Sequence, residues 1–156
     1  MSASPLPKSS SAEEAAPRPS RITRGLIAFI GISRTLTGLG CLLVPTMTAK
    51  AFGFSTLSPE AALIARMFGA REIIIGEGLL LAERCDSTSH GTPHSQAAHQ
   101  QVTRAIWANI ATDGLDIVAL LLTLSVGMAD GVPVGKMTVT AGLFVALGLE
   151  AAWMYK

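Results

Sequence analysis

Five ionisable side chains fall where the chain is otherwise most apolar: Arg34, the adjacent pair Arg71 and Glu72, and Asp113 with Asp116 three residues on. A charge near the middle of a lone membrane helix costs roughly 2.5 to 3.5 kcal/mol, so such groups pair with one another, face a wet cavity or mark a site. Burial and a neighbouring carboxylate both favour the protonated form of an acid, and a protonated acid in an apolar pocket is what general acid catalysis needs. Glu72, Glu77, Asp113 and Asp116 are therefore the candidate acids and bases. Arg34, Arg66 and Arg71, with Asn109, are the candidate groups for holding a polar or anionic part of a substrate. The alternative for the same residues is a structural ion-pair network that fixes how the helices dock.

These residues need helices to position them. Four apolar stretches of about membrane-spanning length are expected at 25–44, 60–82, 104–126 and 137–154, each near the roughly 20 residues that a bilayer core requires. The fold expected is all-α, a four-helix transmembrane bundle. Of the 156 residues 49% are hydrophobic and 15% charged, against about 25% charged in an average soluble domain. Net charge is +1, and no basic run with interleaved aromatics is present, which excludes a nucleic-acid partner. Residues 1–20, rich in Ser, Ala and Pro, read as a disordered tail ahead of a 21–156 membrane domain. The first apolar run is longer than a signal h-region and reads as a retained span.

At about 100° per residue the first span places Gly31, Arg34, Thr35, Gly38 and Cys41 on one stripe, and the second places Ala62, Ala65, Gly69, Glu72 and Gly76 on one stripe. Small residues on a single face let membrane helices approach closely and also offer association between copies. Leu63, Met67, Ile74 and Leu81 form the opposite stripe of the second span, expected to meet lipid or other apolar side chains. The third span aligns Asn109, Thr112, Asp113, Asp116, Leu120 and Thr123, and the fourth aligns Gly142, Ala146 and Glu150, with Trp153, Tyr155 and Lys156 as interfacial anchors. Residues 45–59 read as a short connector broken by Pro and Gly, and 85–103 as a polar loop. Histidines 90, 94 and 99 sit in that loop without a helix to align them, so no metal is expected there.

Depth sorts the polar residues into layers. Arg34, Arg71, Glu72, Asp113 and Asp116 share the middle, so Arg71 is expected to pair with Asp113 or Asp116 and Arg34 with Glu72 or the remaining aspartate. Glu77, Asn109 and Glu150 form a second layer, whose two acids lack a cation and are candidates to hold a proton. Arg66 stands alone on the other side of centre, near Cys41, Thr123 and Thr138. Asp113 and Asp116 offer hard oxygens to a divalent cation, but the two arginines satisfy them without one, and the Glu-x-x-His pattern of di-iron bundles is absent. No metal and no cofactor are expected. Cys41 and Cys85 lie at different depths and are expected as free thiols. Seven Lys and Arg flank one side (Lys8, Arg18, Arg21, Arg24, Arg84, Arg104, Lys156) against Lys50 and Lys136 on the other, which places both termini in the cytoplasm.

The arrangement Ser33-Arg34, Ala65-Arg66, Gly69-Ala70-Arg71-Glu72 with Gly76, and Asp113 with Asp116 resembles a family of uncharacterised small four-span membrane proteins of fungi and actinobacteria. Size and span number are also similar to those of fungal anthrone oxygenases. The resemblance implies a multi-pass protein of the endoplasmic reticulum or another endomembrane, beside a biosynthetic pathway for a lipophilic metabolite. Its expected partners are membrane lipid and a lipophilic small molecule. Its expected activity is a cofactor-free cyclase, isomerase or oxygenase reaction, or else no catalysis, as a scaffold or carrier.

Overall fold

The computed structural model describes residues 19–89, 94–127 and 131–155; the 1–18 part of the expected tail, His90 and Lys156 lie outside them. The chain is all-helical there: α1 (Arg21–Leu43), α2 (Pro45–Phe52), α3 (Pro59–Ser89), α4 (Ser95–Ser125) and α5 (Gly131–Met154). Ser20 caps α1, its Oγ accepting the Thr23 N–H at 3.1 Å, which satisfies one of the orphan donors of a helix start.

The four long helices close a ring in which α1 packs on α3, α3 on α4, α4 on α5 and α5 on α1, with α2 lying across α1, α3 and α5. The α1–α3 seam is the tightest. A Cβ on Gly38 would stand 2.6 Å from the Gly69 carbonyl oxygen, and one on Gly76 would stand 2.7 Å from that of Gly31. Glycines seven apart on each antiparallel helix therefore bring the two backbones into contact, as the small-residue stripes of both spans foretell.

Outward faces are apolar. Phe29, Leu36, Leu63, Met67, Ile74, Leu81, Leu115, Leu143 and Trp153 are among the large hydrophobic side chains left exposed, more than the scattered apolar surface of a soluble monomer. Among the described residues three helices are long and apolar enough to cross a membrane: Arg21–Leu43, Ser95–Ser125 and Pro133–Met154. That is one fewer than the sequence suggests. Helix α3 has 31 residues, but Arg66, Arg71, Glu72 and Glu77 in its middle disqualify it on composition.

Two stretches read as irregular are helical. Pro45 starts α2 at a position where its missing N–H costs nothing, and Gly53, at φ 100°, ends it. The Phe54 N–H reaches the Ala49 carbonyl and the Gly53 N–H that of Lys50, both at 3.0 Å, a Schellman closure. The residues taken as breakers thus bound a helix of eight. The polar 85–103 stretch likewise extends α3 to Ser89 and starts α4 at Ser95, because Asp86, Ala98 and Val102 are buried in the bundle.

Candidate functional site

One end of the bundle is packed, with a pocket of about 210 Å³ at its edge beside His99, Thr103 and Trp107. Ile27, Ile30, Leu79, Val102, Ile106, Ala151 and Tyr155 form its hydrophobic core, drawn from all four long helices. At its outer edge the Tyr155 hydroxyl donates to Asp86 Oδ2 at 2.7 Å, and the His99 ring stacks on Tyr155 with centroids 4.4 Å apart. Burial pushes the Tyr155 phenol above its ordinary range, and the hydrogen bond to Asp86 adds to the shift. Tyr155 is thus a buried tie between α3 and the end of α5 and not the interfacial anchor expected of it, whereas Trp153 is exposed. His94 is exposed and His99 half-buried.

Above the core lies the ionic layer. Arg34, 1% exposed, donates through Nη1 to Glu72 Oε2 at 2.5 Å and through Nη2 to Asp113 Oδ2. Arg71 donates to both Asp116 oxygens, at 3.0 and 2.6 Å, and to Glu72 Oε1 at 2.9 Å. Glu72 is the shared member, so the five side chains form one chain of contacts: Asp113, Arg34, Glu72, Arg71, Asp116. Each guanidinium also lies over a ring, Arg34 over Phe144 at 5.2 Å and Arg71 over Phe68 at 4.7 Å. The expected central layer is therefore assembled, with the pairing resolved as Arg71 to Asp116 and Arg34 to Asp113 and Glu72 together.

The other expected site residues do not join it. Glu77 is exposed, with only a long contact of 3.5 Å from the Thr35 hydroxyl. Five residues beyond Glu72 is about 140° around the helix, so a register that buries Glu72 turns Glu77 outward. Arg66, six residues before Glu72, is exposed for the same reason. Glu150 is exposed as well. Helix α5 packs through Gly148, where a Cβ would meet the Ile110 side chain at 2.7 Å, and through Ala151, not through Gly142, Ala146 and Glu150. The second layer is thus not a buried acid pair. Asn109 alone of that layer is buried, its Nδ2 donating to the Ala105 carbonyl at 2.8 Å.

Beyond the ionic layer the bundle is hollow. A cavity of about 500 Å³ has Arg34, Glu72, Asp113 and Asp116 in its lining and extends to Pro45, Phe52 and Phe54 of α2 and its following turn. From Arg34 to the end of α1 at Leu43 is nine residues, or about 14 Å of helix. Between these limits the wall is mostly apolar, with Ile64, Phe68, Leu120, Met137 and Phe144, relieved by Thr37, Thr48, Thr123 and Thr140. Four of the chain's five phenylalanines line it. Sequence reading misses this wall because Phe52 and Phe54 sit in what looks like a connector. Cys41, buried, lines the cavity, whereas Cys85 is exposed near the opposite end, and both are free.

No family model matches the chain, and no curated protein or solved structure is significantly similar to it.

Proposed function

We propose that this is a membrane protein that takes a lipophilic small molecule into the cavity above the ionic layer. The observation that carries this reading is the cavity itself: about 500 Å³, apolar along its length and charged at one end. Small-molecule sites are of this size and character, a mostly apolar concavity with a few placed polar groups. A scaffold whose charges served packing alone would leave no void against them. The paired state of Arg34 and Arg71 gives the ionic layer a structural duty as well, and the two duties are compatible.

In this reading all four long helices cross the bilayer, α3 included, because Arg71 and Glu72, two of the four charges in its middle, are answered inside the bundle by Arg34, Asp113 and Asp116. Both termini lie in the cytoplasm, following the excess of Lys and Arg on that side, in the endoplasmic reticulum or a related membrane. A glycosylation acceptor inserted between α3 and α4 should stay unmodified in microsomes; efficient modification would reverse the orientation. If the protein acts on its ligand, Glu72, Asp113 and Asp116 are the groups that face it and would give or take a proton, in a cofactor-free isomerisation or cyclisation. We further propose, from the resemblance to small four-span membrane proteins, that such chemistry belongs to a lipophilic biosynthetic pathway.

The test is occupancy. Decanol should raise the melting temperature of the detergent-solubilised protein in a saturable way, because a ligand bound only by the folded state stabilises it by mass action. The variant Ala141→Trp, which fills the cavity wall, should lose that response while remaining folded. An equal response in both proteins means that decanol acts through the micelle and not through the cavity.

A further inference from the structure

We infer that the cavity's ligand carries a cationic, ammonium-type head seated on the ionic layer; this rests on the reading of the cavity as a ligand site and names the chemistry that the site selects. Three observations converge on it.

The first is the charge count of the layer. Glu72, Asp113 and Asp116 supply three carboxylates against the two guanidiniums of Arg34 and Arg71, so with every group ionised the cluster holds one uncompensated negative charge. Held against a largely apolar wall, such a charge is neutralised by a proton or by a cation.

The second is where acceptor capacity remains. Arg34 engages Oδ2 of Asp113, while Oδ1 takes no hydrogen bond among the described residues. Asp113 is 4% exposed and lines the cavity. An ionised carboxylate has about four lone-pair positions, and the open ones on Asp113 adjoin empty space. A donor arriving through the cavity would complete them.

The third is the lack of any free cation to hold an anionic head. Arg34 is the one cationic residue in the cavity lining among the described residues, and its two terminal nitrogens are committed to Glu72 and Asp113. Arg71 is likewise committed to Glu72 and Asp116. Arg66, the natural receptor for an anion in the sequence, is exposed on the outside of α3. A carboxylate or phosphate head would therefore meet three acids and a guanidinium already held by two of them. An ammonium meets an open oxygen, a net negative cluster, and about 14 Å of mostly apolar wall for its hydrocarbon body.

The experiment compares three chains of equal length on the full protein in detergent: decylamine, decanol and decanoate. For each, the shift in melting temperature is measured against concentration, and the shift of Ala141→Trp at the same concentration is subtracted. Decylamine should half-saturate at a concentration about tenfold or more below decanol, as charge-assisted hydrogen bonds outweigh neutral ones, and decanoate should be weakest. Asp113→Asn should bring decylamine and decanol level; since that change also loosens Arg34, the wild-type series decides by itself if the variant does not fold. Decanol equal to decylamine, or decanoate the tightest, overturns the cationic head while leaving the cavity a ligand site. No response to any of the three removes both.

Discussion

The two halves of the bundle are made from the same four helices and filled in opposite ways. Below the ionic layer Ile27, Leu79, Val102, Ile106 and Ala151 meet with no more than 2% exposure each, and Tyr155 and Asp86 close the end. Above it short side chains, Thr37, Ala65, Thr140 and Ala141, share the lining of a cavity with Phe68, Leu120, Met137 and Phe144. The short helix α2 spans the opening that they leave. The ionic layer belongs to both halves, as the lid of one and the floor of the other.

Breaking that shared layer should have the largest effect. Arg34→Met strands Glu72 and Asp113 in a buried site, and removing one partner of a buried pair costs about 3 to 5 kcal/mol. The protein should fall sharply in abundance, as measured by immunoblot of membranes. Arg71→Met should cost less, because its side chain is 37% exposed and water can reach the remaining carboxylate. Combining Arg71→Met with Asp116→Asn should restore abundance, since a neutral pair needs no counter-charge. A double variant with normal abundance and no ligand response would assign the pair to binding; one that responds normally would confine it to packing.

The packed half should be sensitive to loss of volume and the hollow half indifferent. Leu79→Ala should cost about 2 to 5 kcal/mol, whereas Leu120→Ala, which enlarges a void already present, should cost less than half as much by thermal denaturation. Similar losses at the two positions would erase the distinction. On the α1–α3 seam, Gly69→Leu should abolish accumulation, because a side chain there has backbone at 2.5 Å and nowhere to go.

The smallest effect is electrostatic and sits at the closed end. Tyr155 is the chain's single tyrosine, so phenolate absorbance reports it alone. Its phenol is raised above the ordinary value near 10, so the folded protein should show no phenolate at pH values where the unfolded chain is half ionised. The associated stability is present below about pH 10 and is lost as pH rises toward the folded value, since only the unfolded chain releases the proton in that window. Ionisation at the ordinary value in the folded protein would mean that Tyr155 is not held against Asp86.

The charged layer was legible because charges inside apolar sequence must find partners at their own depth, and counting helical rise was enough to bring Arg34, Arg71, Glu72, Asp113 and Asp116 together. The α1–α3 seam was legible from glycines recurring every seven residues. Glu77, Glu150 and Arg66 were misplaced because depth was counted without azimuth: they share levels with inward residues but point away from the axis. Helix α5 hid its packing face, since Gly142, Ala146, Gly148 and Ala151 are all small and the apolar residues between them favour no phase. The cavity was invisible in principle. A void is made by what side chains fail to reach, and α2, whose Pro45 and Gly53 bound a helix while resembling breakers, forms its far wall.

The contrast between the halves is tested most directly by one substitution made twice on the same helix. Ala141 lines the cavity and Ala151, ten residues on, is fully buried in the core. Ala141→Phe should leave the melting temperature unchanged or raise it, since the added ring enters empty space, whereas Ala151→Phe should lower it by the equivalent of about 1 to 3 kcal/mol or prevent folding. Equal destabilisation at the two positions, or a greater loss at Ala141, would show that no hollow stands above the ionic layer.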